Sequence, residues 1–460
     1  MAGWHFRAAG DNVSRYVHDD LYVKALAVQR GGQAWALIAA DLVGVDAVAV
    51  DGIRQQVSEQ TDLAPEAILV CATHCHSGPI VCPVGSATNP SQSDKNVVQA
   101  DGSVPTSYGG STSVASTAYY VGQVDEVWKE KFVSRAAEAA VEAWQSLRPA
   151  EVAFGQAKVE GVASSRRVYL SDGTWADPRR ESSPEAEVVS RSEIDPFVRV
   201  LVVREQETKA PLSAVINYGS HPWIFSISGF SAELAGAAAR EVAARWSGSG
   251  DESPVVLYTT GPEGDATLIW NVDTDRVWKT RPGESQKESL ARRQKEFDGE
   301  LERLGDRLVS GVMEAMGEAT AWDPEPEVDT RRREVALPLK KGYRRPDEVL
   351  VTEWQKRAPE NEHLTEIQLL RVGDGAVLGL PGEPFTSLGS AIRAQSVSQH
   401  LLIAALANDF GAISYSADRA AYDLGGYEVT MTPVAPSGGE KLVEDAVGLL
   451  DSARLAEGRS

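Results

Sequence analysis

An α/β fold, with a layered β-sheet core flanked by helices, is what the sequence predicts. Short apolar runs of strand length alternate with longer stretches of helical spacing along most of the chain. Several of those runs end on a residue type suited to chemistry, the arrangement expected where α/β proteins place ligands outside strand ends. The composition, 42% hydrophobic and 24% charged, is that of a globular protein with apolar residues enough for a core.

The elements follow in order. Residues 34–41, AWALIAAD, read as a buried strand ending on an acid, and the segment 48–60 has helical spacing. Residues 67–73, AILVCAT, form a second short apolar run. Residues 80–122 are rich in Ser, Thr, Gly and Asn, the composition of a polar insert or lid within a larger unit. A helix is predicted over about 124–147, where Trp128, Phe132, Ala136 and Ala139 share a face and Pro149 closes it. Strand-like runs resume at 151–162, 196–203 and 212–220, the last leading into His221. An Ala-rich helix over 231–246 precedes the run VVLYTT and the loop GPEGDAT. The charged, amphipathic segment 285–319 reads as surface helix. Residues 366–383 carry Gly-Asp-Gly between two apolar runs, a hairpin signal. HLLIAALAND is a further apolar run, and the last twenty residues suggest a terminal helix. No internal repeat and no composition break is visible, so residues 1–460 read as one domain.

Charge and cysteine usage narrow the function classes. The 45 basic and 66 acidic residues give a net charge of −21, which disfavours nucleic acid and anionic lipid as partners. No run reaches the roughly 18 apolar residues of a membrane span. The N-terminal MAGWHFRAAGDN does not read as a secretory leader. Three cysteines, Cys71, Cys75 and Cys82, make an odd count that argues against a disulfide framework and points to the cytoplasm. Oligomeric state stays open, a homo-oligomer included.

The chemistry collects at a few strand ends. His74 and His76 lie in ATHCHSGP directly after an apolar run, and residues two apart in extended chain project to the same side. Neutral imidazole suits zinc and also moves protons. An HxH pair reads equally as two hydrogen-bonded histidines at a strand end, and the pattern leaves both open. The cysteine spacing lacks the CxxC knuckle of structural zinc sites, so buried small apolar residues are the better reading. Three more apolar runs end near ligand types: His221, Glu383 and Tyr415.

The segments VHDDLYVKALAV, AADLVGVD and ILVCATHCHSGP resemble the N-terminal part of the neutral ceramidase family. The resemblance continues through NYGSHPWIF, GPEGDAT, LPGEPF and SYSADRAAYDLGGYE, over roughly residues 15–430. The family has a central Thr where Cys75 stands. The resemblance implies a ceramidase-like catalytic domain with one Zn2+ held by His74, His221, Glu383 and Tyr415. It further implies proton transfer by His76 and oxyanion stabilisation by Tyr427. Arg166 or Arg167 matches the neighbourhood of the family's active-site arginine, where the alternative is a solvated surface pair. Asp265 and Thr267 fall on the family's GDVSPN segment, whose serine is replaced by Thr267 and whose Pro-Asn is absent. About thirty residues follow Tyr427, too few for the C-terminal immunoglobulin-like domain of secreted members, which needs roughly 100.

The implied activity is zinc-dependent hydrolysis of an amide (N-acyl) bond by a metal-activated water. The expected substrate is a small soluble polar amide rather than ceramide, given the acidity and the polar insert. Two alternatives are an esterase or lactonase on the same site, and a catalytically inactive ligand-binding homologue.

Overall fold

Three sheets of three or four strands carry most of the structure, a computed structural model. It describes residues 14, 16–82, 124–173, 175–176, 187–225, 227, 229–247, 253–269, 281–341, 351–396, 398 and 400–457. Of the expected polar insert at 80–122, only 80–82 are described, and all three are buried; its reading as a lid lies outside the described residues.

The first sheet is built from a hairpin and a returning strand. Strands β1 (Val23–Arg30) and β2 (Gln33–Ala40) pair antiparallel. Helix α1 (Ala47–Ser58) starts where the Asp46 carboxylate accepts from the Ala49 N–H at 2.7 Å. Strand β3 (Ile68–Ala72) then lies parallel to β2. Helix α2 (Glu126–Gln145) is capped by Asp125 and buries Phe132, Ala136, Ala137, Ala140 and Val141, a stripe close to the predicted one.

The same topology recurs twice. Strands β4 (Ala150–Lys158), β5 (Phe197–Glu205), β6 (Pro211–Tyr218) and β7 (Val255–Thr260) make the second sheet, in the order β7-β6-β5-β4. Here β5 and β6 form the hairpin, helix α3 (Glu233–Trp246) follows, and β7 returns parallel to β6. Helix α4 (Gln286–Glu318), opened by a capping box of Ser285 and Glu288, is the single long helix of the charged segment. Strands β8 (Val328–Pro338), β9 (Glu362–Val372), β10 (Gly375–Gly379) and β11 (His400–Ala404) make the third sheet. The predicted Gly-Asp turn joins β9 to β10, with Gly373 at φ 59, the left-handed region glycine favours. Helix α5 (Thr386–Gln395) follows β10, and β11 returns parallel to it. Helix α6 (Gly438–Glu457) ends the described chain.

The sequence shows no repeat, yet one unit is built three times: hairpin, helix, parallel strand. Strand pairing asks only for alternating apolar residues and a suitable turn, so unrelated side chains satisfy it. Alternation along β5 shows what the layers require. Leu201 and Val203 join a central apolar cluster that draws Leu37, Leu69, Val215, Leu257, Val377 and Leu402 from all three sheets. Val198, Val200 and Val202 face the other way, under α3 and α4. Ile367, Leu369 and Leu378 likewise meet Leu442, Ala446 and Leu449 of α6. Sheets therefore meet in the middle and helices cover their outer faces, the α/β layering expected.

The parallel strands also align their carboxyl ends. Ala40 pairs with Ala72, Tyr218 with Thr260, and Gly379 with Ala404. Side-chain and main-chain bonds tie the three ends together: Thr260 Oγ1 donates to the Thr73 carbonyl at 2.8 Å, and the Ala405 N–H to the Thr260 carbonyl at 2.8 Å. Chain leaving these ends carries the residues singled out by the sequence. No helix among the described residues is long and apolar enough to cross a membrane.

Candidate metal centre

His74 leaves the end of β3, His221 the end of β6 and Glu383 the end of β10. Topology brings the three together at one buried point. The His221 Nε2 lies 3.0 Å from Glu383 Oε2, and the His74 Nε2 lies 3.5 Å from the same oxygen. The rings of His74 and His221 have centroids 4.7 Å apart.

Hydrogen bonding fixes which nitrogens carry protons. His74 Nδ1 is 2.7 Å from the Val43 carbonyl, and His221 Nδ1 is 3.0 and 2.9 Å from the carbonyls of Glu263 and Ala266. Carbonyls only accept, so each Nδ1 donates, and in the neutral ring Nε2 keeps its lone pair. Arg166 donates to the His221 Nε2 at 3.0 Å, in agreement. Burial, and then the Arg166 charge, pulls the His221 pKa down to about 4, so the ring is neutral at ordinary pH.

With His74 neutral and Glu383 ionised, three acceptors face one another, and of these only the His221 lone pair is taken, by Arg166, which an ion would have to displace. His74 Nε2 and Glu383 Oε2 have no hydrogen-bond partner among the described residues. Lone pairs that converge in a buried site are costly unless a cation takes them up. Donors about 2.0–2.1 Å from a tetrahedral zinc lie roughly 3.3 Å apart, and the observed spacings of 3.0 and 3.5 Å fit. The residues present fit a divalent ion.

The other expected residues fall around this point. His76 lies beside His74, ring centroids 4.7 Å apart at 83°, and stacks on Trp223 at 5.5 Å. Its backbone N–H donates to Glu233 Oε2 at 3.3 Å, and Ser77 Oγ donates to Glu233 Oε1 at 2.6 Å. The expected reason for the pairing was extended chain. Instead His74 sits at φ 64, a left-handed conformation that turns its ring into the cluster. Strand alternation ends at Ala72, so it does not govern the two rings.

Glu383 and Tyr415 are register partners in a short parallel ribbon, Glu383–Pro384 against Tyr415–Ser416. Burial, and then the Glu383 charge, raises the Tyr415 phenol well above its ordinary value, so the hydroxyl is neutral here. The half-buried Tyr427 ring meets the Tyr415 ring edge-on at 5.8 Å. Arg166 lies 5.6 Å from the centroid of each. Its Nη2 pairs with Glu428 Oε1 at 3.0 Å, and Arg167 pairs with Glu428 Oε2 at 2.9 Å. Arg167 also donates to the Gly425 carbonyl and lies 4.7 Å from the Trp175 ring centroid. Of the two arginines, Arg166 is the one that reaches the histidines; neither is a solvated surface residue.

Asp265 and Thr267 are buried. Asp265 Oδ1 accepts from the Thr386 N–H at 2.8 Å, so it clamps the GPEGDAT loop to the start of α5, just past Glu383. The Gly264 N–H donates to the Pro384 carbonyl at 3.0 Å. A Cβ at Gly264 would stand 2.6 Å from the Glu383 carbonyl oxygen, which is why glycine is needed there. Thr267 pairs through its backbone with Ser164, and its hydroxyl has no partner among the described residues. The cysteines are free and buried, as small apolar residues would be.

Glu263, Glu428, Glu233 and Trp223 also line this region, and no motif in the sequence singles them out. Glu263 is fully buried, with both carboxylate oxygens lacking a hydrogen-bond partner among the described residues. One of its oxygens lies within 4.8 Å of ligand atoms of His74 and Glu383. Burial, and then the Glu383 charge, raises its pKa well above the ordinary value. It follows the apolar run VVLYTT, so the strand-end rule that found His221 applied to it equally.

No protein-family model matches the chain, and no curated protein matches it. Solved structures do. A neutral ceramidase from Pseudomonas aeruginosa matches with a TM-score of 0.65 at 16% identity, covering 96% of this chain and 70% of that one. A ceramidase complexed with C2 matches with a TM-score of 0.66 at 16% identity, covering 96% and 71%. This chain has the fold of the neutral ceramidases.

Proposed function

We propose that the chain is a zinc-dependent amidohydrolase, one catalytic domain acting on the N-acyl bond of a small soluble amide. The observation that carries this reading is the convergence of His74 Nε2, His221 Nε2 and Glu383 Oε2 at 3.0–3.5 Å, with both Nδ1 atoms turned to backbone carbonyls. A donor set of two imidazoles and a carboxylate is that of catalytic zinc sites that leave a position for water. When bound, zinc lowers the pKa of water toward about 7 and polarises a carbonyl. Tyr415, as register partner of Glu383, supplies the fourth protein contact.

The chain's own groups do the rest. His76, stacked on Trp223 and beside His74, carries a proton to the departing nitrogen. The Tyr427 hydroxyl donates to the carbonyl oxygen as it gains charge. Arg166 lies 5.6 Å from the centroids of the Tyr415 and Tyr427 rings, where it orients a polar substrate group. Glu233 holds the main chain of His76 and the hydroxyl of Ser77, which keeps the proton carrier in place. Asp265 fixes the turn after Glu383 from beneath.

A charge of −21 supports a soluble substrate over one embedded in an anionic bilayer. The three free thiols support a cytoplasmic setting. The test is a hydrolysis screen of N-acyl compounds from acetyl to long-chain acyl, run with and without a zinc chelator. Chelator-sensitive cleavage of short polar amides is expected. Cleavage of ceramide in preference to these compounds would overturn the substrate class, and chelator-resistant cleavage would overturn the metal.

A further inference from the structure

We propose that Glu263 is a ligand of the same ion, a second carboxylate in the centre. This rests on the reading of His74, His221 and Glu383 as the ion site.

Glu263 is buried with neither carboxylate oxygen hydrogen-bonded to another described residue. Ionised, it needs donors or a cation, and its own main-chain N–H is the one nearby donor, no other described residue bonding either oxygen. Protonated, it needs an acceptor for its proton. A ligand oxygen of Glu383 lies within 4.8 Å of it. The nearby guanidinium of Arg166 is paired with Glu428. A buried carboxylate in this condition is rare in folded proteins and needs an explanation. An ion shared with His74 and Glu383 supplies one, because their ligand atoms all lie within 4.8 Å of one another.

The main chain aims the side chain. The Glu263 carbonyl accepts from His221 Nδ1 at 3.0 Å, and the next residue, Gly264, donates to the Pro384 carbonyl at 3.0 Å. Glu263 is therefore held between two other ligands by its own backbone. Topology agrees. Glu263 leaves β7, the returning strand of the second unit, as His74 leaves β3, the returning strand of the first. His221 and Glu383 leave the inner hairpin strands β6 and β10. The four residues thus fall at the carboxyl ends of two returning strands and two hairpin strands of the repeated units. Charge agrees too. Two neutral imidazoles and two carboxylates sum to −2, which one divalent cation neutralises. Such an oxygen-richer set needs no ionised phenol from Tyr415.

The test uses the full-length protein stripped with a chelator, then titrated with zinc against a chromophoric competitor, and with cobalt(II) as a spectroscopic probe. Wild type is compared with Glu263→Gln and with Glu263→Met, which fills the space without charge. Outer-sphere partners of a metal cost roughly 10–100-fold in affinity when lost, so losing a ligand is expected to weaken zinc binding at least about tenfold. The cobalt visible bands are expected to shift in both variants. Thermal midpoints separate ligation from folding. Removing an unpaired buried carboxylate should leave the metal-free midpoint unchanged or higher, while the gain on adding zinc shrinks. Variants that bind zinc within about twofold of wild type, with unchanged cobalt bands, overturn the proposal and leave the proposed function standing. Metal-free variants that unfold well below wild type also overturn it, because Glu263 would then have protein partners. Wild type that takes up no ion overturns both readings.

Discussion

At the scale of single residues, burial and partners decide what each charge does. Glu428 is shared by Arg166 and Arg167, all three buried. Glu428→Gln removes the carboxylate that compensates two guanidiniums, and urea unfolding should show a loss of about 3–5 kcal/mol. A loss under about 1 kcal/mol, the worth of a surface pair, would contradict the buried network. Glu233 makes a pH prediction. Burial, partly offset by Ser77 and the His76 N–H, raises its pKa from 4.5 to about 8. In that window the folded chain keeps a proton that the unfolded chain releases. Stability from this group is complete below pH 4.5 and declines as pH rises through about 8. The metal-free wild type should therefore lose stability between pH 5 and 8 relative to Glu233→Gln, on the order of a few kcal/mol. Equal slopes in urea titrations would contradict it. The sequence singled out the four expected ligands because each follows an apolar run and the family resemblance named them. It did not show Glu263, since a lone carboxylate after a strand is common. Nor did it show the left-handed turn at His74, which no propensity of histidine requires.

At the scale of elements, the placement of most strands and helices was readable from apolar periodicity. The ribbon of Glu383–Pro384 with Tyr415–Ser416 was not, because two-residue strands have no period. Nor was the threefold recurrence of hairpin, helix and parallel strand, which lives in backbone pairing rather than in side-chain identity. The close approach of the GPEGDAT loop to Glu383 yields a prediction at this scale. Gly264→Ala puts a Cβ 2.6 Å from the Glu383 carbonyl and 2.9 Å from the Phe385 ring, so loop and ribbon must part. Thermal unfolding should show about 1–3 kcal/mol of destabilisation, with weaker zinc binding because Glu383 moves. Wild-type zinc affinity in this variant would show that the loop does not position the ligand.

At the scale of the whole molecule, three sheets present their carboxyl ends to one buried point, and the fold is that of the neutral ceramidases. The central apolar cluster draws on all three sheets, so the proposed ligands from β3, β6 and β10 are held by one packed body rather than by loops alone. An ion that binds only this assembled arrangement stabilises the whole fold, and zinc should raise the thermal midpoint of the stripped protein in a concentration-dependent way. The most direct test is elemental analysis of purified wild type, His74→Ala and His221→Ala, joined to turnover of a short N-acyl amide. The expected result is about one zinc per wild-type chain, with both metal and turnover lost in each variant while the circular dichroism of the fold is kept. Full metal content in either variant, or undiminished turnover without metal, would contradict the account.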